Sequence, residues 1–337
     1  MNILFIGGTG NISAECAALL HERGHEILVL SRGRTSVPTG YRSIRADRKD
    51  PAAMRAALKG VQPEVVLNFL GYDLPDVHTD YDLFNGVVRQ YVFISSTVIY
   101  AKPPPRLPLT EAAPVGNAWW DYAQKKLACE QWLQQCHREA GFPVTIVRPS
   151  HTYSKRWIPN PVSSGSYTFA ARLEQGKPVF VHDDGTSPWT LTAATDFAVG
   201  LAGLVGKTEA IGESFHITSD EVLTWNEIYA EIAAALGVES PQIVKVPTDF
   251  ICQVAPQMTG TLKGDKAHPG VFDNAKIKRF VPEFRCRTPF RVGVSESLRW
   301  LRDHPDQQNH KPELDEMIER VLAAWASRNR SHSSIIR

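Results

Sequence analysis

Short apolar runs alternate with helical patterns through the first 150 residues of the chain. Continuous apolar runs that are each followed by a helix are typical of a parallel sheet covered on both faces. The pattern therefore predicts an α/β fold with a doubly wound parallel sheet. Six segments are expected to supply its strands: "NILFIGG", "HEILVLSRG", "YRSIRAD", "PEVVLNFLGY", "RQYVFISST" and "FPVTIVRPS".

Helix ends in this region carry clear stop signals. "SAECAALLHERG" ends at Gly24, and "DPAAMRAALKG" begins at Pro51 and is followed by Gly60. The long helix "DYAQKKLACEQWLQQCHREAG" is closed by Gly141. Proline in the first turn and glycine just after the last turn are the residues that helix ends prefer.

The alternation breaks after residue 150. Residues 1–150 are expected to form a Rossmann-type domain, with parts of 190–220 completing its sheet. Residues 151–327 would form a smaller, mixed C-terminal lobe, and 328–337 a flexible tail. Within the lobe we predict a strand in "ESFHITS" and a helix in "TWNEIYAEIAAALG", capped by Thr224 and stopped at Gly237.

Composition narrows the class of protein. Hydrophobic residues make up 43% of the 337 residues and charged residues 22%, and the net charge is +1, which favours neither a nucleic acid nor a membrane as partner. Five scattered cysteines without a C-x-x-C pair predict reduced thiols and no metal site. No apolar run is long enough to span a bilayer, and "NILFI" lacks the basic flank of a signal peptide. We expect a cytoplasmic protein.

The first apolar run ends in a glycine turn that reads Gly7-x-x-Gly10-x-x-Ser13. Such a turn lets the backbone approach a pyrophosphate at a helix N-terminus, although a plain tight strand-to-helix turn is the alternative. Serine replaces the usual third glycine and is nearly as small. The residues of this turn expected to bind a dinucleotide are Gly7, Thr9, Gly10, Asn11 and Ile12.

The ends of the next two strands favour NADP. Ser31, Arg32 and Arg34 stand where an acidic residue usually meets a free ribose 2′-hydroxyl. Guanidinium groups suit a 2′-phosphate, so NADP is predicted and NAD is the alternative; two solvated arginines would look the same. Asp47 would accept a hydrogen bond from the adenine amino group or cap the helix that begins at Pro51. The cofactor site is further expected to include Arg48, Phe69 and Leu70.

Tyr122 and Lys126 open the long helix four residues apart, and so lie on one helical face. A phenol is a poor acid–base catalyst at neutral pH. A neighbouring ammonium and the positive ring of a nicotinamide would lower its pKa. Ser96, at the end of the fifth strand, would hold the substrate oxygen beside the phenol.

These motifs together resemble the extended short-chain dehydrogenase/reductase superfamily, in its NAD(P)-dependent epimerase/dehydratase branch. The resemblance is carried by "GGTGNIS", "FISSTVIY", "YAQKK" and "VRPSHTY", and "DDGTSPWTLTAATDFAVG" and "ESFHITSDEVLTWNEIYAEIAAALG" extend it. It implies a Ser96–Tyr122–Lys126 triad, with Tyr122 as general acid–base and Lys126 on the nicotinamide ribose. It also implies that Pro149, Ser150 and His151 flank the nicotinamide amide.

The chain departs from the family pattern in several places. Besides Ser13 and Arg32, the stretch 73–90 is short for a helix that relatives use in dimerisation, so a monomer or a homodimer is expected. Ala193 and Ala194 stand where relatives often have a polar residue. Thr97-Val98 stands where a dehydratase of the family usually has the Asp-Glu pair that serves as its extra acid and base, which argues against 4,6-dehydration. The departures resemble an atypical branch that includes the chloroplast stem-loop-binding proteins.

The substrate is expected to lie between the carboxyl edge of the sheet and the smaller lobe. Basic residues there would meet a phosphate, and aromatic residues would stack on a sugar or base; a solvated loop and a packed core are the alternatives. The candidates are Ser96, Thr97, Tyr100, Trp119, Trp120, His151, Lys155, Arg156, Trp157 and Trp189.

Two functions are compatible with these features. The first is an enzyme that moves a hydride between NADP and a secondary alcohol or ketone, with a sugar nucleotide as the expected small-molecule substrate. Epimerase and reductase remain equally open. The second is a non-catalytic dinucleotide-binding protein that contacts RNA or another protein. The near-neutral charge and the absence of a basic-aromatic stripe argue against RNA, and the complete triad favours the enzyme.

Overall fold

The computed structural model describes residues 1–162 and 165–335, with side chains described as far as residue 330. The strands are β1 (Asn2–Ile6), β2 (Glu26–Ser31), β3 (Arg42–Arg45), β4 (Val65–Asn68), β5 (Gln90–Ile94), β6 (Val144–Pro149), β7 (His151–Tyr153), β8 (Val179–His182), β9 (Pro188–Trp189), β10 (Leu191–Ala193), β11 (Ser214–Ile217), β12 (Leu223–Thr224) and β13 (Ile243–Val246).

The α-helices are α1 (Ser13–Glu22), α2 (Pro51–Ala57), α3 (Leu74–Phe84), α4 (Asp121–Ala140), α5 (Thr168–Glu174), α6 (Ala194–Leu204), α7 (Trp225–Leu236), α8 (Thr248–Val254), α9 (Thr259–Thr261), α10 (Ala275–Phe280), α11 (Phe290–Asp303) and α12 (Pro312–Ile335). A π-helical turn, Leu262–Lys266, follows α9.

The central sheet has seven parallel strands in the order β11-β6-β5-β4-β1-β2-β3. This confirms the predicted doubly wound parallel sheet. The strand order reverses between β1 and β4, because the chain moves outward to β3 and then returns to the other side of β1. In such sheets ligands bind at the carboxyl ends of the strands beside this switch point. The fold therefore directs attention to the ends of β1 and β4.

Both faces of the sheet are covered, which explains why its strands are continuously apolar. Ile3 and Phe5 of β1 pack on the face covered by α1, α6 and α10. Leu4 and Ile6 of the same strand pack on the opposite face, against α2, α3 and α4. The alternation of side chains along a strand thus places every residue of β1 after Asn2 in one of two cores.

The C-terminal lobe consists of short strand pairs covered by helices. β8 pairs with β13 and β7 with β10 in parallel, while β9 and β12 are antiparallel. Helix α7 begins with the predicted cap, since Thr224 and Glu227 form a capping box, and it ends at Gly237 in a left-handed conformation. Residues 328–335, for which we expect a flexible tail, belong to helix α12, and residues 336 and 337 lie outside the described residues.

None of the helices in the described part of the chain is long and apolar enough to cross a membrane.

Candidate functional site

Two cavities of about 430 and 470 Å³ lie at the carboxyl edge of the sheet, beside the switch point. Both are lined by Gly7, Gly10, Leu70 and Tyr72, so the cavities meet end to end and form one groove. We call the part that runs over β2 and β3 the first cavity, and the part that runs toward α4 and the C-terminal lobe the second cavity.

The glycine turn lies where the two cavities adjoin, since Gly7 and Gly10 line both. Gly7 has a φ of +90°, and a Cβ atom there would lie 2.6 Å from Leu70 Cγ, so only glycine fits. Ser13 takes over a local role, because its hydroxyl accepts a hydrogen bond from the Gly10 amide at 2.9 Å. The chain then enters α1, whose N-terminal amides suit an anion. This cradle fits a dinucleotide pyrophosphate.

Asn11 ties the turn to the C-terminal lobe. Its side-chain amide donates to the Thr152 carbonyl at 2.9 Å, and its oxygen accepts from the amide and the hydroxyl of Ser154 at 3.0 and 2.6 Å. Asn11 and Ile12 both line the second cavity. The side chain of Asn11 is therefore occupied by the lobe.

The first cavity contains the residues predicted to select the cofactor. Ser31, Arg32, Arg34 and Asp47 line it together with Thr9. Within the described residues, neither Arg32 nor Arg34 forms an ion pair. Their guanidinium groups are therefore available to an anion such as a ribose 2′-phosphate.

Asp47 is not the cap of the second helix. Its carboxylate accepts from the Lys49 amide at 3.0 Å, whereas Asp50 caps α2 by accepting from the Ala53 amide at 3.0 Å. The helix-cap alternative for Asp47 is therefore wrong, and its contact with adenine stays a prediction.

Arg48 lines the first cavity, but its guanidinium points into the protein. It donates to both carboxylate oxygens of Asp80 at 2.8 and 3.0 Å, and its Nε lies 3.5 Å from Asp76 Oδ1. The sequence predicts that Arg48 binds the cofactor. A buried bidentate ion pair uses its donors instead, so its part in the cavity wall is structural.

The second cavity brings together most of the predicted catalytic and cofactor residues. Its lining includes Phe69, Leu70, Ser96, Thr97, Tyr122, Lys126, Pro149, Ser150 and His151. They come from the carboxyl ends of β4, β5 and β6 and from the first turns of α4, elements that a parallel sheet brings to the same edge.

Tyr122 and Ser96 both line the second cavity. Burial raises the pKa of the Tyr122 phenol, Tyr72 and Asp265 raise it further, and the Ser96 side chain opposes the shift. From the sequence, a neighbouring ammonium and the positive ring of a nicotinamide are expected to lower this pKa. The groups of the protein itself shift it in the opposite direction, because desolvation disfavours the phenolate.

The Lys126 ammonium is almost completely buried beneath the second cavity. Its Nζ donates to the carbonyls of Gly71 and Ile94, both at 2.7 Å, and lies 5.9 Å from the centre of the Tyr122 ring. Burial lowers the pKa of Lys126 to about 8. Two of its three donors are thus held by backbone, which fixes the position of the charge.

His151 is a neutral imidazole in this cavity. Burial lowers its pKa well below the ordinary value, and the charge of Lys266 lowers it further.

Three predicted substrate residues are absent from the cavity lining. Tyr100 is fully buried, and its hydroxyl is bonded to His216 at 2.5 Å and to Arg148 at 2.8 Å. Trp119 is 49% exposed and faces Lys263, and Arg156 lies against the Trp300 ring. The prediction that these three line the substrate cavity is wrong, because packing and hydrogen bonds turn them elsewhere.

The other aromatic candidates do line the second cavity, namely Trp120, Trp157 and Trp189. Lys155 lines a separate cavity beside α11. Sequence reasoning missed Tyr72, Asp265 and Lys266, which all line the second cavity. Tyr72 follows the apolar run of β4, a position that could have drawn attention to it. Asp265 and Lys266 lie in the π-helical turn, which has no local signal.

The fold and the groove define the class of extended short-chain dehydrogenases/reductases. A sequence model of the NAD dependent epimerase/dehydratase family matches residues 3–217, and the chain belongs to that family. The predicted resemblance is therefore confirmed. The protein is an enzyme of the extended short-chain dehydrogenase type, in an NAD-dependent family.

Individual relatives cover most of the chain at low identity. The 2'-dehydrokanamycin reductase of Streptomyces kanamyceticus is 27% identical over 89% of this chain and 84% of its own. The chloroplast stem-loop binding protein of 41 kDa b of Arabidopsis thaliana is 25% identical over 74% of this chain and 67% of its own. The structure of the Thermus thermophilus UDP-glucose 4-epimerase with NAD superposes with a TM-score of 0.74 at 21% identity, covering 90% of this chain and all of the other.

Proposed function

We propose that the protein is an NADP-dependent reductase or epimerase that acts on a secondary alcohol or ketone of a sugar or sugar nucleotide. The observation that carries the proposal is that Ser96, Tyr122 and Lys126 line one cavity, which shares Gly7 and Gly10 of the glycine turn with the first cavity. The similarity to a reductase over most of both chains favours reduction.

The groove has the donors and the shape for a dinucleotide. Gly7, Gly10 and the N-terminus of α1 would hold the pyrophosphate, and Arg32 and Arg34 the 2′-phosphate. Ser150 and His151 line the second cavity together with Tyr122. When bound, the dinucleotide supplies or accepts the hydride.

Tyr122 is suited to donate a proton. Because burial raises its pKa, the phenol is protonated at neutral pH. In reduction it gives this proton to the substrate oxygen as that oxygen gains negative charge, and in oxidation it removes the hydroxyl proton. The Ser96 hydroxyl, which lines the same cavity, would hold that oxygen in place.

Lys126 positions this centre. Two of its donors are fixed by the carbonyls of Gly71 and Ile94, and the third remains for a ribose hydroxyl. Its charge beneath the cavity also favours the phenolate that forms when Tyr122 gives up its proton.

Tyr122→Phe tests the proposal. Loss of the hydroxyl should reduce turnover by about 100- to 10,000-fold, since general acid catalysis contributes that much. NADPH oxidation is measured against a panel of keto-sugars and keto-sugar nucleotides, and NADPH affinity by fluorescence titration. Affinity should change less than about twofold, because the phenol is not expected to hold the phosphates.

Tyr81→Phe is the matched control, since Tyr81 packs against Trp132 and Phe142 and does not line either cavity. Wild-type turnover in Tyr122→Phe would contradict the assignment of the acid–base. An equal loss of turnover and cofactor affinity would contradict it as well.

A further inference from the structure

The wall of the second cavity that the C-terminal lobe supplies contains buried charges. Asp265 and Lys266 both line the cavity, and Lys266 is 8% exposed. Lys102 lies behind them with its side chain 1% exposed. The proposed hydride transfer does not use any of these three groups.

The wall has two ammonium groups, those of Lys102 and Lys266, but one carboxylate, that of Asp265. Lys266 Nζ lies 3.1 Å from one carboxylate oxygen of Asp265, and Lys102 Nζ lies 3.9 Å from the other. In the part of the chain that the structure describes, no second carboxylate lies within 4 Å of either ammonium. His151 adds no charge, because burial and the Lys266 ammonium lower its pKa. Two buried ammonium groups thus share one carboxylate, and burial lowers the pKa of Lys102 because a buried charge that is incompletely paired is costly.

The backbone of this wall is held in place. The Lys266 carbonyl accepts from Trp225 Nε1 at 3.0 Å and from His182 Nε2 at 2.9 Å. The Gly264 carbonyl accepts from the Asn117 amide at 2.5 Å. The π-helical turn of Leu262–Lys266 is therefore fixed by three side chains from other elements, as expected of a built site.

Two aromatic rings flank the Lys266 ammonium, and one of them also lies next to the ring of Tyr122. Its Nζ lies 6.0 Å from the centre of the Trp120 ring and 5.8 Å from that of Trp189. The Trp120 ring is in turn 5.3 Å from the Tyr122 ring. These rings exclude water, so an ion pair formed here is stronger than one at the surface.

We propose that Lys266 is a specificity residue that binds an anionic oxygen group of the substrate, a carboxylate or a phosphate, near the carbon that is oxidised or reduced. The position of that carbon rests on the proposed function. An ammonium has three donors, and the described contacts of Lys266 give one of them to Asp265. An anion can accept hydrogen bonds from the remaining N–H donors of Lys266, and it also supplies negative charge. A neutral hydroxyl can only accept the hydrogen bonds.

The test is an equilibrium binding experiment on the full chain with and without NADP⁺. The probes are mandelate, a small secondary alcohol with a carboxylate, its near-isosteric neutral analogue mandelamide, and phenyl phosphate. Dissociation constants are measured by calorimetry. The wild type should bind at least one anion about tenfold or more tightly than mandelamide, and comparison of the two anions distinguishes carboxylate from phosphate.

Variants test whether Lys266 is the residue that causes the preference for an anion over mandelamide. Lys266→Gln should reduce the affinity for the anion to that for mandelamide, and Lys266→Arg should retain most of the preference. Asp265→Asn should strengthen anion binding, because it removes the competing carboxylate. Lys263→Gln is the matched control: Lys263 lies in the same turn but faces Trp119 and Asp249 outside the cavity, so the preference should persist.

The proposal is overturned if the wild type shows no preference, including failure of both anions to bind. It is also overturned if Lys266→Gln keeps the preference, or if Lys263→Gln loses it equally. Thermal melting of each variant checks folding, and the bonds that hold Lys266 use its backbone carbonyl, which glutamine preserves.

This result is separable from the proposed function, because it requires no turnover. If the anion preference depends on Lys266 but no panel compound is reduced, the anion site is supported and the proposed reaction is contradicted. Turnover that depends on Tyr122, with no anion preference, would do the reverse.

Discussion

A single side chain, that of Arg32, carries much of our proposal on the cofactor. It lines the first cavity without forming an ion pair within the described residues. Arg32→Asp should therefore lower the affinity for NADP⁺ by about 10- to 100-fold, since a hydrogen bond to a charged group contributes about 1.5–3 kcal/mol. The affinity for NAD⁺ should rise, because the carboxylate can accept from the ribose 2′-hydroxyl.

Fluorescence titration with both dinucleotides measures this change. Arg42→Asp is the control, since Arg42 is exposed at the amino end of β3 and changes the net charge equally. If NADP⁺ and NAD⁺ bind with the same ratio before and after Arg32→Asp, the 2′-phosphate assignment is wrong.

The lowered pKa of Lys126 predicts that the stability of the protein depends on pH. Burial lowers its pKa from 10.5 to about 8, so between these values the unfolded chain binds more protons than the folded one. The free energy of unfolding therefore gains a contribution as pH rises from 8 to 10.5, of up to roughly 3 kcal/mol at one pKa unit per 1.36 kcal/mol.

Lys126→Met lacks this contribution. Urea unfolding at pH 7 and pH 10 should show that the stability of the wild type, relative to Lys126→Met, increases with pH. Thiols and phenols that titrate in the same window are present in both proteins. A stability difference that is constant with pH, or that falls as pH rises, would argue against a depressed pKa at Lys126.

At the scale of elements, helix α11 packs tightly against the end of strand β7. Gly293 allows this contact, because a Cβ atom there would lie 2.0 Å from the hydroxyl of Tyr153, at the end of β7. Gly293→Ala should destabilise the protein by about 1–3 kcal/mol through overpacking, although alanine favours a helix by about 1 kcal/mol over glycine.

Urea unfolding checks this value against Ser295→Ala on the same helix. Ser295 bonds only to the carbonyl of Arg291 in an exposed position, so its replacement should change stability by less than about 0.5 kcal/mol. A stabilised Gly293→Ala would mean that helix propensity outweighs the contact with Tyr153.

For the whole molecule, the remaining alternatives are a monomer and a homodimer. Helices α3 and α4, the elements that could have formed a two-helix dimer face, pack on each other through Tyr81 and Trp132. Of the large apolar side chains that are exposed in the described residues, none lies on α3 or α4. A stable dimer interface needs an apolar core, so we expect a monomer.

Light scattering after size exclusion should give a mass near 37.5 kDa for the untagged protein, with and without NADP⁺. Twice that mass at micromolar concentration would contradict the expectation. Crosslinking that traps α3 or α4 between two chains would then identify the interface.

The sequence contained enough to predict the sheet and the meeting of Gly7, Ser96, Tyr122 and Lys126. Each lies at a strand end or in a first helical turn, and parallel strands bring all such ends to one edge. It did not reveal that Arg48 is bound by Asp80, or that Tyr100 is bound by Arg148 and His216. Those partners lie far away in sequence, and no local pattern indicates them.

By itself, then, the sequence determined the order of helices and strands and the residues at their ends, because periodicity and capping are local properties of the chain. Only the tertiary structure decided which side chains face the cavity, which charges are paired and which way the pKa of Tyr122 shifts. Burial and ion pairing depend on contacts between segments that are distant in sequence. The Lys266 ammonium, for example, lies next to the rings of Trp120 and Trp189.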